Sequence, residues 1–410
     1  MKNKINYFLI LLYLIIGFIP NFGAVDRIAT HWVYLNIISL FSIIYFLITN
    51  SNKTISFGIY KNKPLLVFTL FTLWATISLF YSINFIESII SLIRLISILL
   101  AIFLLGLHIK QTEELKVIFS LIFFPIFIIE IILPTVKFFE IISIVEYSFK
   151  YANDLETFTP NKNITAAIIT AHMGFIFILR FYFKKLEPLF LFLILIGTAI
   201  IVFISARASI IGLILSLLLV YVLTYIKKRE NLTFLNKVFF SVILGFFISN
   251  LYLGSNNTAA VQNRLTSINT DDESTNERIR YYTHGINHIL ENPIKGIGLG
   301  NWKTRSIEYD KKNIKNYVVP YHLHNDFLQF GAETGIIGMF LYAFLFLVVL
   351  IINIKRVKIN YFLSISLIIS ITVLFVDSNL NFPHARPIMM VLLAFIISLT
   401  EINRTNEIEK

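Results

Sequence analysis

Cysteine is absent from the 410 residues, which excludes a disulfide framework, a thiolate nucleophile and a thiolate metal site. Charge is scarce as well: 14% of the residues are Asp, Glu, Lys or Arg, against 57% hydrophobic residues and 40 phenylalanines. A soluble domain of this length needs a charged surface and cannot hide so much apolar side chain. Missing too are a phosphate-cradling Walker loop, a dinucleotide glycine fingerprint and a His-Glu-x-x-His zinc helix. The alternating segments of roughly ten residues that build an outer-membrane barrel are not present either. No metal and no cofactor is expected. His322 and His324 stand two apart, a spacing that chelates on a strand but not on a helix, and no carboxylate is obviously placed to complete a site.

What is present is apolar sequence in long runs, with a mean hydropathy of +0.76. Runs near twenty residues recur, each long enough to cross a bilayer as a helix. Backbone polar groups find no water in lipid, so the spans are expected to be helical. The expected fold is all-α, a polytopic integral membrane bundle of about twelve transmembrane helices with one large periplasmic loop. The spans read as 5–20, 32–49, 64–82, 85–107, 115–134, 163–183, 188–204, 208–226, 235–254, 326–352, 360–380 and 386–400. That divides the chain into helices 1–9 within 1–254, a loop at 255–325 carrying a short helix, helices 10–12 within 326–400, and a cytoplasmic tail at 401–410. Lys2 and Lys4 ahead of the first run suit a signal peptide, but Phe22-Gly23-Ala24 is a poor cleavage site, so a retained helix is expected.

The net charge of +11 is explained by the positive-inside rule without invoking nucleic acid. With the N-terminus cytoplasmic, the inside loops hold Lys53, Lys61 and Lys63; Lys110 and Lys116; Arg180, Lys184 and Lys185; Lys227 to Arg229 and Lys237; and Lys355, Arg356 and Lys358. The short outside loops hold only Arg27, Arg207 and Arg386. In the loop 255–325, apolar positions at Ile279, Tyr282, Ile286 and Ile289 predict a helix from Asn276 to Leu290. Glu291-Asn292-Pro293 ends it, and Gly296, Gly298 and Gly300 make a tight turn.

Four features on the outside face could carry chemistry. Tyr321-His322-Leu323-His324-Asn325-Asp326 precedes the tenth span, followed by Gly331, Gly335 and Gly338, which would share one helix face. An interfacial His pair above a packing stripe explains this as well as a general base does; an imidazole near pKa 6.5 suits deprotonation of a hydroxyl. Arg207, between two apolar spans, needs an anionic partner or a watery cavity, unless it merely snorkels to headgroups. Arg278 and Arg280 lie two apart on the loop helix, so only one can point into any site, and an exposed Arg on a loop is ordinarily just solvated. Glu87 and Arg94, seven apart in the fourth span, share a face and read as a structural or pathway pair. Asp377, His384 and Arg386 are further candidates of rim character.

The motifs together resemble the O-antigen ligase and polymerase superfamily of bacterial envelope glycan transferases. His324-Asn325, nine residues, Gly335, two residues and Gly338 are similar to the ligase pattern of His, then Asn, Ser or Gln, then a Gly-x-x-Gly, Thr or Tyr. Asn292-Pro293 through Gly296, Gly298, Gly300 and Asn301-Trp302 resembles the family's Pro-Gly turn, with Arg278 upstream on its Arg helix. Ser205-Ala206-Arg207 resembles its Ser-Arg segment, with an intervening Ala, and Asn161-Lys162-Asn163 its Asn-bearing entry to the sixth span. The resemblance implies a metal-independent glycosyltransferase in the bacterial inner membrane. Its donor would be an undecaprenyl-diphosphate-linked glycan and its acceptor lipid A-core, a growing polymer or another hydroxyl, at the periplasmic face. His324 would then be the base, with Arg207 and Arg278 on the diphosphate, where a planar guanidinium binds phosphate oxygens bidentately. Arg280, Asn325 and His322 would assist in binding. Ligase is favoured over polymerase by the His motif, and a protein O-oligosaccharyltransferase by neither length nor domain content. The competitor from another class is a transporter or flippase, for which Glu87 and Arg94 argue and the absence of repeats argues against.

Overall fold

The computed structural model describes residues 2–49, 62–254, 273–314, 319–400 and 402. Among them all regular structure is helical. The first part of the expected loop (255–272), the loop bearing Lys53 and Lys61, and nearly all of the expected tail lie outside the described residues.

Ten helices are long and apolar enough to cross a membrane by length and composition: α2 (Ala29–Thr49), α3 (Lys63–Tyr81), α4 (Phe85–Gln111), α5 (Leu115–Ile142), α6 (Lys162–Tyr182), α7 (Lys184–Ile204), α8 (Arg207–Lys227), α9 (Arg229–Leu253), α12 (Asp326–Arg356) and α13 (Tyr361–Leu380). Two shorter apolar helices, α1 (Asn3–Phe18) and α14 (Pro387–Thr400), complete the set found at the twelve expected places. Between α9 and α12 lie two polar helices, α10 (Glu273–Glu291) and α11 (Trp302–Asp310). Asparagine starts several of them: the side chains of Asn62, Asn84, Asn161 and Asn325 accept from backbone N–H groups of the first turn, which would otherwise lack partners.

Burial ranks the helices. α6 is 89% and α13 83% buried, and every residue of α14 is buried, whereas the remaining spans bury between 33% and 56%. These three form the centre, and the others turn one face to it and one apolar face outward. α8 packs on α13, α9 on α7, α14 on α4, and α3 on α12.

One membrane helix is broken, and the break anchors the polar segment. Gly335 has φ 75° and ψ 178° within α12, a conformation open essentially only to glycine. The expected glycine face is therefore interrupted: the chain changes direction at Gly335, and Gly331 and Gly335 face Ile289 and Ile294 of the polar segment, not a neighbouring span or a lipid tail. At the break the carbonyls of Ala332, Glu333 and Thr334 accept from Ile297 N–H (3.0 Å), Gly298 N–H (2.8 Å) and the Trp74 indole N–H (2.8 Å). Ile336 N–H donates in turn to the carbonyl of Pro293 at 2.8 Å. The buried Glu333 carboxylate accepts from Gly300 N–H (2.7 Å), Trp302 N–H (3.3 Å) and the Gln329 amide (3.1 Å). On its far side the turn is fastened to the start of α4. Asn301 Oδ1 accepts from Asn84 N–H at 2.6 Å, and its amide donates to Ser88 Oγ at 2.7 Å. Gly300 sits at φ 74°, and a Cβ there would meet Ser91 Oγ at 2.0 Å.

A Cβ on Gly335 would lie 2.0 Å from the Ile294 carbonyl, and the backbone conformation alone costs a side chain about 1–3 kcal/mol. Gly335→Ala is expected to lower the unfolding temperature of the purified protein markedly. Gly106→Ala, whose Cβ would meet only Ser398 Oγ at 3.8 Å, is the control and should leave it unchanged.

Candidate functional site

The docked turn brings α10 against the start of α12, where the segment His322–Asp326 crosses. Tyr282 on α10 donates to the backbone carbonyls of His324 and Asn379, both at 3.0 Å. Gly285 leaves room for Leu323, whose Cδ1 would lie 2.7 Å from a Cβ there. Held this way, His324 adopts a left-handed φ of 56°, uncommon for a residue with a side chain. Asn325 caps α12: its Oδ1 accepts from Leu328 N–H at 3.0 Å and its amide donates to the Asn379 carbonyl at 3.1 Å. The Asn325 side chain thus holds the turn through backbone groups.

The His324 ring stacks with Tyr281 at 6.3 Å and meets Phe382 at 4.9 Å almost perpendicularly. Its Nδ1 is buried with no hydrogen-bond partner among the described residues. Burial first, and then the charges of Arg278 and Arg386, push the imidazole down to about 4, because each disfavours a further positive charge. Arg386 is itself lowered to about 10 by burial and stays charged at neutral pH. The ring lies on the wall of a cavity of about 890 Å³ that also includes His322, Tyr281, Phe382 and Arg386. A small recess beside it adds Asn161, Asn163 and Asp377, so the Asn-bearing start of α6 does reach His324.

Two further imidazoles stand close by. His322 stacks on Phe382 at 4.4 Å and lies 3.3 Å from Gln329 Oε1. Burial, together with His384 and Arg386, lowers it well below the ordinary histidine range. His384 Nδ1 lies 2.5 Å from Asp326 Oδ1, while its backbone N–H and the Tyr342 hydroxyl both donate to Oδ2, at 3.1 and 3.2 Å. Asp326 is fully buried, so a carboxylate that spacing left without a role fixes the tautomer and position of one imidazole.

The arginines separate. Ser205, at φ 58°, turns the chain between α7 and α8 and puts Arg207 in the first turn of α8. There its guanidinium approaches the Thr275 hydroxyl at 3.4 Å, near the N-terminal end of the helix that carries Arg278. Arg280 goes elsewhere: its Nε lies 2.7 Å from Asp310, a carboxylate it shares with His284 at 3.4 Å. It ties α10 to α11. Glu87 and Arg94 are not paired with each other, contrary to their reading as a pair: Glu87 meets Lys303 at 2.5 Å, and Arg94 lies over Trp32 at 5.6 Å. Among the described residues no group of three or more His, Asp and Glu could hold a metal ion.

Residues 191–343 match the family model described as O-antigen ligase. The match supports the O-antigen ligase and polymerase superfamily, and it spans α7 to the middle of α12 with the docked turn between. No curated protein matches the chain. The match covers His324, Arg207 and Arg278, whereas Asp377, His384 and Arg386 lie beyond it. Asp326, Tyr282 and Arg386 were the residues that spacing undervalued. The only signal for Arg386 was a charge in an otherwise almost uncharged short loop.

The field on His324 can be tested by histidine-labelled NMR. The His324 ring should titrate near pH 4 in the wild type, and in Arg386→Gln its midpoint should move upward, since one lowering charge is gone. An unshifted midpoint in that variant would show that the cation does not act on the ring.

Proposed function

We propose that this chain transfers a glycan from an undecaprenyl-diphosphate-linked donor to an acceptor hydroxyl at the periplasmic face of a bacterial inner membrane. The observation that carries this reading is the His324 ring on the wall of a large cavity, its buried Nδ1 without a partner among the described residues, within the field of Arg278 and Arg386. An imidazole held near 4 is neutral at pH 7, so its lone pair is free to accept a proton. It is also a weak base until something offsets the cations. A diphosphate is that something: its charge beside Arg278, Arg386 and Arg207 cancels the field that depresses the ring and raises its proton affinity. The base then becomes competent when the donor is bound.

In the proposed step the acceptor O–H gives its proton to His324 while its oxygen attacks the anomeric carbon. The bond from that carbon to the diphosphate oxygen breaks, and the electron pair leaves with the lipid diphosphate. Guanidinium groups hold the growing charge there by charge-assisted hydrogen bonds. Displacement from the opposite face inverts the anomeric centre. The acceptor is lipid A-core, a polymer end or another hydroxyl, and no metal is required. The His-Gly motif favours ligase over polymerase. The transporter reading loses its main support, because Glu87 is engaged by Lys303 and not by Arg94.

Purified protein given lipid-diphosphate glycan and candidate acceptors in the presence of chelator should transfer the glycan. His324→Ala is expected to lower the rate by roughly 10²–10⁴, and Arg278→Ala or Arg207→Ala by roughly 10²–10³, in protein that remains inserted and folded. Full activity in His324→Ala would remove the base assignment, and restoration by metal after chelation would remove the metal-free step.

A further inference from the structure

Arg94 has no place in the reaction above, yet its position needs a reason. It lies nine residues into α4 from Phe85, about 13 Å along the axis at 1.5 Å per residue. A guanidinium at that depth in an apolar helix is costly unless it meets an anion or water. Among the described residues Arg94 makes no ion pair; Glu87, the carboxylate nearest along the helix, is engaged by Lys303 at 2.5 Å. Its guanidinium lies over the Trp32 ring, 5.6 Å from the centroid. Trp32 is 94% buried by its 6% exposure, and its indole Nε1 has no hydrogen-bond partner among the described residues. A buried N–H left without an acceptor costs on the order of 1–3 kcal/mol.

Both groups face the same space. Trp32, Arg94, Lys303, Tyr321, His322 and His384 all line an inner recess. Since Asp326 takes Nδ1 of His384, Nε2 is that ring's remaining polar atom. The recess shares Arg94, Lys303, Tyr321 and His322 with the cavity of about 890 Å³, and of these two spaces only the outer cavity includes His324, Phe382 and Arg386. Of the cations assigned to the diphosphate, Arg386 lines the outer cavity and not the recess, whereas Trp32 and His384 line the recess and not the outer cavity; Arg94 and Lys303 stand where the two meet.

We infer that this recess is the acceptor subsite and that it takes a sugar bearing a negative charge, a uronate or a sugar phosphate. The inference rests on the proposed transfer, which needs a donor side and an acceptor side flanking one base. Arg94 supplies the charge for the carboxylate or phosphate, bidentate where the geometry allows. Trp32 supplies an indole N–H for a ring or hydroxyl oxygen, and Tyr321 and Trp32 supply apolar surface for the C–H face of the sugar. A bare anion would use the first and leave the second unpaired. This is why the site reads as one for a charged sugar.

The test reads binding, so it does not depend on turnover. Full-length protein in discs of zwitterionic lipid is titrated with glucuronate and glucose 6-phosphate, with glucose and inorganic phosphate as comparators. Both charged sugars should bind more tightly than either comparator. Their affinity should fall roughly tenfold or more in Arg94→Gln and several-fold in Trp32→Phe, which keeps a ring and removes the N–H. A glycan-free polyprenyl diphosphate should not displace glucuronate. Unchanged affinity in Arg94→Gln overturns the site, and inorganic phosphate binding as well as glucose 6-phosphate reduces it to an anion site. Displacement by the polyprenyl diphosphate moves it to the donor. Loss of wild-type binding when phosphatidylglycerol is added to the discs assigns it to a lipid headgroup, which also overturns the proposal. If no transfer is ever seen while Arg94-dependent sugar binding persists, the proposed function has failed and the sugar site has not.

Discussion

A membrane helix cannot be opened without giving its carbonyls somewhere to go, and that constraint organises the candidate site of this protein. At Gly335 the ladder of α12 is interrupted, and the carbonyls of residues 332 to 334 are taken by Ile297, Gly298 and Trp74. In lipid an unsatisfied carbonyl costs several kcal/mol, so break and docked turn require each other. The glycine turn is as much the partner of the break as a feature of its own. Glu333 makes the coupling specific, since one buried carboxylate collects the N–H groups of Gly300 and Trp302. Everything at the site depends on this dock: it fixes where α10 lies, α10 carries Tyr282, and Tyr282 holds the His324 backbone.

The electrostatics follow from the same packing. His322 and His324 pack on Phe382 and His384 on His322, each with a different partner: His384 has a carboxylate, His322 an amide oxygen, and His324 none at Nδ1 among the described residues. Burial beside Arg278 and Arg386 leaves His324 neutral and weakly basic in the resting protein. An anion placed against these cations would offset the charge that depresses the ring.

The polar segment shows how a pattern can name residues without assigning them. Arg278 and Arg280 look equivalent in the chain, yet Asp310, thirty positions from Arg280 in the sequence, decides that Arg280 ties α10 to α11. Glu87 and Arg94 share a helix face, and Lys303 from α11 separates them by taking Glu87. Asn325 belongs to the motif that resembles the ligase pattern, and here its side chain caps a helix. In each case the deciding partner comes from another element.

The sequence by itself determined the helical membrane class, the places of the apolar helices, the helix at Glu273–Glu291 with its Pro-Gly turn, and His324 with Arg207 and Arg278 as candidates. These are local matters: run length, helical periodicity and the backbone demands of glycine and proline are written in consecutive residues. Only the tertiary structure decided that the glycines of α12 mark a break, that Asp326 fastens His384, and that Arg386 joins Arg278 beside His324. It alone brought Arg94 and Trp32 to one recess, with the Trp32 Nε1 unpartnered among the described residues. Such facts depend on which hydrogen-bonding groups the fold brings within about 3 Å of each other and shields from water. Periodicity along one helix carries no information about the helix that will lie against it.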